Sequence, residues 1–446
     1  MKRQIEPPPA ALLSRRDAFR HCVYGGAGML MLEPLQFLRS AAPEGGAAKS
    51  VIQIWLWGGP AHIDTFDPKP EAGRDYCGAL NETLETNVSG IRIGQLLPQL
   101  AKQADKYSLI RSMTHGNNGH ETAAYLVQTG RPSDREVFPC VGAVTSFFRG
   151  YDAGYQGLVP PYIVLTEPQG RFSEAGFLGP RFKPFATGGD PSASVFAVEG
   201  IVAPGVSEEQ QKARRALMGE LNTLGGALPG NATLKTVAAS EEQAYEMILG
   251  DAGKLFDLRQ EEDAMRDRYG RNTFGQSCLM ARRLVEKGVP YITINYKGWD
   301  THKQHFQLMN RKLPELDQGL AALLQDLSDR GLLESTIVWC TGEFGRTPKV
   351  ATEPPWNGGR HHFGAVFSTL LAGGGFKGGQ VVGASNATGE EVADRPVYPA
   401  DMIASLYGQL GIPSEAQLPH PFGADAPVVP KAADGTPSAG ILKELL

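Results

Sequence analysis

Seven of the nine histidines in this 446-residue chain fall in four short polar segments. His62 lies in WLWGGPAHIDTFDPK, His115 and His120 in RSMTHGNNGHE, His302 and His305 in GWDTHKQHF, and His361 and His362 in GGRHHFG. The segments are rich in Gly, Asp or Asn, and the first three also hold a carboxylate. Imidazole nitrogens and carboxylate oxygens gathered from separate loops are the donor set of a divalent metal site, with zinc or manganese best suited to mixed N and O ligands. Asp300 and His302 flank Thr301 and can both turn toward one ion in a tight loop; the competing role for Asp300 is a helix N-cap. Glu343, in a Gly-rich turn, is an oxygen ligand or the ion-pair partner of Arg346. The adjacent His361 and His362 point in different directions, so one of them at most is a ligand. His62 and Asp64 complete the candidate set.

Arg111, Arg346 and Arg360 accompany these segments, and a guanidinium fork matches the oxygens of a phosphate or sulfate. Ser112 and Thr114, beside His115, are candidate hydroxyl nucleophiles. Such forks suit an anionic partner; their competing role is ion pairing with Asp and Glu.

The elements that must position these groups can be read from apolar patterning. Val51 to Trp57 is a continuous apolar run that ends in Gly58-Gly59-Pro60, as a buried strand feeding a loop would. Tyr107 to Ile110, Pro161 to Leu165, Tyr291 to Asn295, Thr336 to Cys340 and Ala365 to Leu371 read as further strands. Cys278, Leu279, Arg282, Leu284 and Val285 suit an amphipathic helix ending near Gly288. Leu313, Leu316, Leu320, Leu324 and Leu327 form a helical stripe closed by Gly331, and Met402 to Leu410 makes a late helix. Residues from about 206 to 288 read as a largely helical insertion. Strand, helix and strand joined by short loops imply parallel pairing. In open α/β sheets the working residues lie beyond the carboxyl ends of the strands, where Asp300, Glu343 and the Gly58–Asp64 loop fall.

Composition narrows the partners. Net charge is −5 and no basic stripe occurs, which argues against nucleic acid. Arg15-Arg16 before a weakly apolar stretch from Cys22 to Leu38 reads as a twin-arginine export leader, with residues 1–48 as leader and linker and a periplasmic or secreted destination. That stretch is broken by Gly25, Gly26, Gly28 and Glu33, so no stable membrane span is expected. Cys22 would leave with the leader. Cys77, Cys140, Cys278 and Cys340 show no C-x-x-C spacing and read as buried free thiols.

Taken together, SRRDAF, GGPAHIDTFDPKP, LIRSMTHGNNGH, AGFLGPRFKPF, YGRNTFGQSCLMARRLVEKGV, GWDTH, TGEFGRTP, GRHHFG and LLAGGGFKGGQVVGAS resemble a large family of exported bacterial proteins, domain-of-unknown-function family 1501. The likeness runs from Val51 to the C-terminus, and the family is grouped with the alkaline phosphatase and sulfatase superfamily. It implies a single domain over residues 49–446: a three-layer α/β/α sandwich around a mostly parallel sheet, alkaline-phosphatase-like, with metals at the strand ends. By the same resemblance Asp300, His302 and His362 match one metal site, Glu343 the carboxylate of a second, and Ser112 or Thr114 the neighbourhood of the nucleophile.

Two departures matter. Relatives often carry His after the second-site carboxylate, whereas TGEFG places Phe344 there. His361 stands where the family often has Asp. No C-x-P-x-R or S-x-P-x-R occurs, which argues against the formylglycine route. One complete metal site, or two rearranged ones that use His62 or His361, both fit. The expected activity is hydrolysis of a phosphate or sulfate ester. The competing expectation is a non-catalytic envelope protein that keeps the fold with an incomplete site.

Overall fold

A computed structural model describes residues 46–134, 136–168, 174–201, 206–221, 245, 247, 248, 250–423, 426–430 and 435–446. The main unit comprises Arg39–Gln211 and Glu246–Leu446; a second takes Met1–Leu38 and Lys212–Tyr245, of which residues 212–221, in a helix, and Tyr245 are described. Residues 1–45 of the segment expected to be an export leader and linker lie outside the described residues.

An eight-stranded sheet forms the centre of the main unit. Its strands are β1 Ser50–Trp55, β2 Tyr107–Met113, β3 Tyr162–Leu165, β4 Phe185–Ala186, β5 Tyr291–Asn295, β6 Thr336–Thr341, β7 Phe367–Ala372 and β8 Val381–Val382. They lie in the order β8-β2-β7-β6-β1-β5-β3-β4. β1 is central, parallel to β5 with Val51 opposite Tyr291 and to β6 with Val51 opposite Ile337. β3 runs parallel to β5 and β4, and β8 parallel to β2. β7 alone among the eight is reversed, antiparallel to both β2 and β6.

Alternation along the strands sends side chains into two cores. Ile52 and Ile54, with Ile292, Ile294, Val338 and Cys340, pack on one face with helices α3 Thr273–Glu286 and α4 His305–Asp329. Val51 and Trp55, with Tyr291, Ile337 and Trp339, pack on the other with α1 His120–Thr129, α2 Val141–Arg149 and α5 Pro399–Gln409. The result is the three-layer α/β/α sandwich with a mostly parallel sheet. Both faces being covered explains why the strands read as unbroken apolar runs. One polar column interrupts them. Thr293 donates to Gln53 at 3.0 Å, and Gln53 donates to Gln128 of α1 at 3.2 Å, so each buried group finds a partner.

Helix signals in the sequence are placed where the chain needs them. Asn272 caps α3 by accepting the Gly275 N–H at 2.9 Å, and the apolar stripe of α4 is fully buried. Within residues 206–288, α3 belongs to the main core and packs on α4 and β5. The reversal of β7 and the two-residue edge strands β4 and β8 left no clear pattern in the sequence; edges this short expose few unpaired backbone groups. Cys77, Cys140, Cys278 and Cys340 are buried and free. Among the described residues no helix is long and apolar enough to cross a membrane.

Candidate metal centre

The carboxyl ends of β1, β2, β5 and β6 meet at one edge of the sheet. β7, being reversed, begins at that edge, so the segment entering it arrives there too. β1 continues into Trp57-Gly58-Gly59, β2 into the loop leading to His120, β5 into Asp300 and β6 into Glu343. His362 precedes β7 and pairs with Arg346 in a short two-stranded ladder. Gly58 has φ +113°, and a Cβ there would stand 2.2 Å from the Asp300 nitrogen, so only glycine lets the β1 and β5 loops touch. A Cβ on Gly359 would meet the His302 carbonyl oxygen at 1.8 Å, which makes the same demand where the His361 segment crosses.

Around Asp300 three imidazoles converge. His302 Nε2 and His362 Nε2 lie 3.1 and 3.2 Å from Asp300 Oδ1 and 2.9 Å from each other. His120 Nε2 lies 3.4 Å from Asp300 Oδ2. Donor atoms bound tetrahedrally to zinc at about 2.0–2.1 Å are separated by about 3.3 Å, so the His302–His362–Asp300 triangle has the edges such an ion requires. His120, Asp300 and His362 form an overlapping set whose donor atoms lie within 4.8 Å of one another. The triangle is the tighter of the two. Either set has three ligands and so leaves a coordination position open. The Asp300 side chain is 44% exposed, so the centre opens to solvent.

Partial burial opposes the charge on Asp300, but His120, His362 and the Arg346 guanidinium hold its carboxyl far below the usual range. Burial likewise opposes a charged His120, yet hydrogen bonds to Asp300 and Glu343 prevail and raise it to about 9. His302 is lowered by burial against the pull of Asp300. These directions describe the protein without a cation.

The remaining residues singled out in the sequence stand elsewhere. Asp64 is fully buried: Arg360 Nε stands 3.0 Å and His305 Nε2 2.6 Å from its Oδ2. A guanidinium occupies the side of the carboxylate that an ion would need, so Asp64 is a strut and not a ligand. His305 continues the chain of contacts to Thr301 Oγ1 at 2.6 Å, which braces the Asp300–His302 loop from below. His62 is buried against Phe363, its Nε2 2.9 Å from the Gly389 carbonyl, and does not reach the cluster.

Glu343 lies beneath the imidazoles, fully buried. Its Oε1 accepts from the Gly58 N–H at 2.9 Å and stands 2.6 Å from His120 Nδ1. It contacts a histidine of the cluster without facing Asp300. Arg346 is also fully buried and donates to the carbonyls of Gly58, Gly59 and Arg360 and to Asp300. Arg111 donates to the carbonyls of Phe66 and Arg92 and pairs with Asp67. Arg360 serves Asp64, Tyr76, Thr347 and Pro348. Arg111 and Arg346, expected to hold an ester, are thus engaged by the fold, and so is Arg360. The Ser112 hydroxyl donates to the Arg395 carbonyl at 2.6 Å, and Thr114 lines a separate recess beside Glu390 and Tyr398.

His120 is the residue that sequence reasoning under-weighted. It opens α1 rather than ending a strand, so strand-end logic did not rank it. The available signal was a histidine followed by a helical pattern shortly after a buried strand. Phe344, where relatives carry a histidine, is fully buried and packs against both His362, with ring centroids 4.7 Å apart, and His120, at 5.0 Å. It walls the cluster, and His120 brings in an imidazole from a different element. His115, also in that loop, is pushed down to about 4 by burial, against its bond to the Glu343 carbonyl, and stays neutral.

Fold and site define a three-layer α/β protein with a histidine–carboxylate cluster at the carboxyl edge of its sheet. The chain belongs to the DUF1501 family of proteins of unknown function, whose model matches residues 48–435. No curated protein matches the sequence. Among solved structures, a protein in the alkaline phosphatase superfamily from Vibrio parahaemolyticus is 11% identical, with 85% of this chain and 71% of that one covered and a TM-score of 0.38. A sulfatase from Pseudoalteromonas sp. is 14% identical, covering 83% and 68%, with a TM-score of 0.34. Ps i-CgsB in complex with k-i-k-neocarrahexaose is 11% identical, covering 82% and 72%, with a TM-score of 0.38. Scores this low carry no argument about the chemistry of this chain.

Two outcomes test the site as described. Arg360→Ala leaves the Asp64 carboxylate buried beside His305 alone and should cost about 3–5 kcal/mol in urea denaturation; a loss below about 1 kcal/mol would show that Asp64 does not depend on it. His120 has a folded pKa above its unfolded value of about 6.5. It therefore stabilises the cation-free fold fully below about pH 6.5, and that contribution disappears as pH rises through about 9. In chelator-treated protein the gap in Tm between wild type and His120→Gln should close over that window. A gap independent of pH would contradict the assignment.

Proposed function

We propose that this chain is an exported, metal-dependent hydrolase of phosphate or sulfate esters. The observation that carries the reading is the meeting of Asp300 with His120, His302 and His362 at the solvent-open edge of the sheet. The family resemblance supplies the substrate class, and the donor set favours zinc or manganese. A bound ion of this kind would act as Lewis acid toward the ester and lower the pKa of a water molecule. The protein contributes geometry: Asp300 gathers the imidazoles, Arg346 and Glu343 hold the loops beneath them, and Phe344 keeps one side dry. With Ser112 and Thr114 turned elsewhere, water is favoured over a protein hydroxyl as the attacking group.

One observation supports the rival, a non-catalytic envelope protein: Arg111, Arg346 and Arg360 are all engaged in the fold, so none of them is left to grip an ester. The same assays separate the two. Purified protein should carry close to one or two equivalents of zinc or manganese and hydrolyse an aryl phosphate or aryl sulfate. Asp300→Ala and His362→Ala should abolish both metal and activity, and the Ser112→Ala, Thr114→Ala double variant should keep its rate. Metal retained without turnover on a broad ester panel favours the rival; no metal in the wild type eliminates both the site and the mechanism.

Export rests on Arg15-Arg16 and the apolar stretch that follows. A fusion of residues 1–48 to a reporter active only after twin-arginine transport should be exported, and Arg15→Lys with Arg16→Lys should block it. Export undiminished by the double substitution would refute the twin-arginine route.

A further inference from the structure

Each of the three imidazoles that face Asp300 is held from behind through its other ring nitrogen. His120 Nδ1 lies 2.6 Å from Glu343 Oε1, His362 Nδ1 2.8 Å from the Asn118 carbonyl oxygen, and His302 Nδ1 3.2 Å from His361 Nδ1. A carboxylate and a carbonyl can only accept, so His120 and His362 carry their protons on Nδ1. Their Nε2 atoms are then left to face Asp300, each able to offer a lone pair to a cation once it carries no proton.

We infer that Glu343 is a positioning residue that fixes the ring orientation and the Nδ1–H form of His120, with the Asn118 carbonyl doing the same for His362 and His361 holding the ring of His302, so that two of these Nε2 atoms, His120 among them, and the Asp300 carboxylate are preset to receive one divalent cation. This rests on the metal-dependent reading above, and it assigns Glu343 a role different from ligand. The carboxylate is suited to the task because it is itself fixed. It is fully buried, accepts the Gly58 N–H with both oxygens, at 2.9 and 3.2 Å, and sits on a strand end in the middle of the sheet. Ligating histidines commonly hand their second N–H to such a group, and loss of that group costs about 10–100-fold in metal affinity. His361 acquires a use on this reading: it backs His302, which explains why two adjacent histidines serve one centre without both being ligands.

The test is Glu343→Gln in the full chain, which keeps size and shape while offering an amide in place of the carboxylate. Two readouts are taken. The first is the low-field proton resonance of the His120 Nδ1–H in protein labelled with 15N-histidine, recorded without metal and identified by its absence in His120→Gln. The second is zinc affinity by chelator competition. Expected are loss or marked upfield movement of that resonance and zinc binding weakened about 10–100-fold, with the other histidine signals retained. An unchanged resonance together with wild-type affinity overturns the inference. If wild type binds no zinc, the metal reading fails, and the resonance still decides the role of Glu343. Should Glu343→Gln not fold, Glu343→Asp, which withdraws the carboxylate by one methylene, is read in the same way.

Discussion

One residue, Gly58, holds the working edge of this protein together. Its N–H is given to Glu343 at the end of β6, and its carbonyl is taken by Arg346. Its missing side chain lets Asp300 at the end of β5 approach within contact. Three strand ends are thereby referenced to a single rigid point. Arg346 then reaches on to Asp300, so the carboxylate that gathers the imidazoles is tethered to the same residue. Buried hydrogen-bonding groups are costly to leave unmade, and here each loop supplies what its neighbour lacks. The rim can be polar and still well ordered.

The fold was legible in the sequence because its strands are buried on both faces and its helices carry clean apolar stripes. Asp300, His302 and His362 could be named because they follow or precede such strands. His120 could not be ranked beside them because its distance from β2 has no fixed meaning until the loop is closed. Asp64, Arg111, Arg346 and Arg360 were misread for a common reason. A charged residue in a polar loop looks available, and nothing local announces that its partner is a backbone carbonyl or a carboxylate hundreds of positions away. Asp64 and His305 are 241 residues apart, and Asp64 and Arg360 are 296 apart. Burial of charge is a property of the closed structure, and it turned Arg111 and Arg346 from expected ester holders into supports.

That inversion shapes the electrostatics of the edge. The guanidiniums lie below the surface, where they support carbonyls and carboxylates, and the upper layer is made of imidazoles around one exposed carboxylate. Imidazoles can surrender protons near neutrality, whereas guanidiniums cannot. The outer layer can therefore exchange protons for a cation while the inner layer keeps its charge and its shape.

The reversal of β7 has a further consequence. In a purely parallel sheet every loop at the carboxyl edge is an exit, and its length is tied to the helix that must follow. The segment before β7 is an entrance: it leaves β6, folds back through residues 347–361 over the rim, and rejoins the same sheet at the same edge. Both of its ends are fixed by neighbouring strands, and its course is tied to the segment after β1, Val350 by the Asp75 carbonyl and Arg360 by Asp64 and the Tyr76 carbonyl. Trp356, partly exposed and packed edge-on against His361, lies in that stretch. The stretch thus crosses the rim with no helix to carry it, and sets an indole beside the imidazoles of His302 and His361.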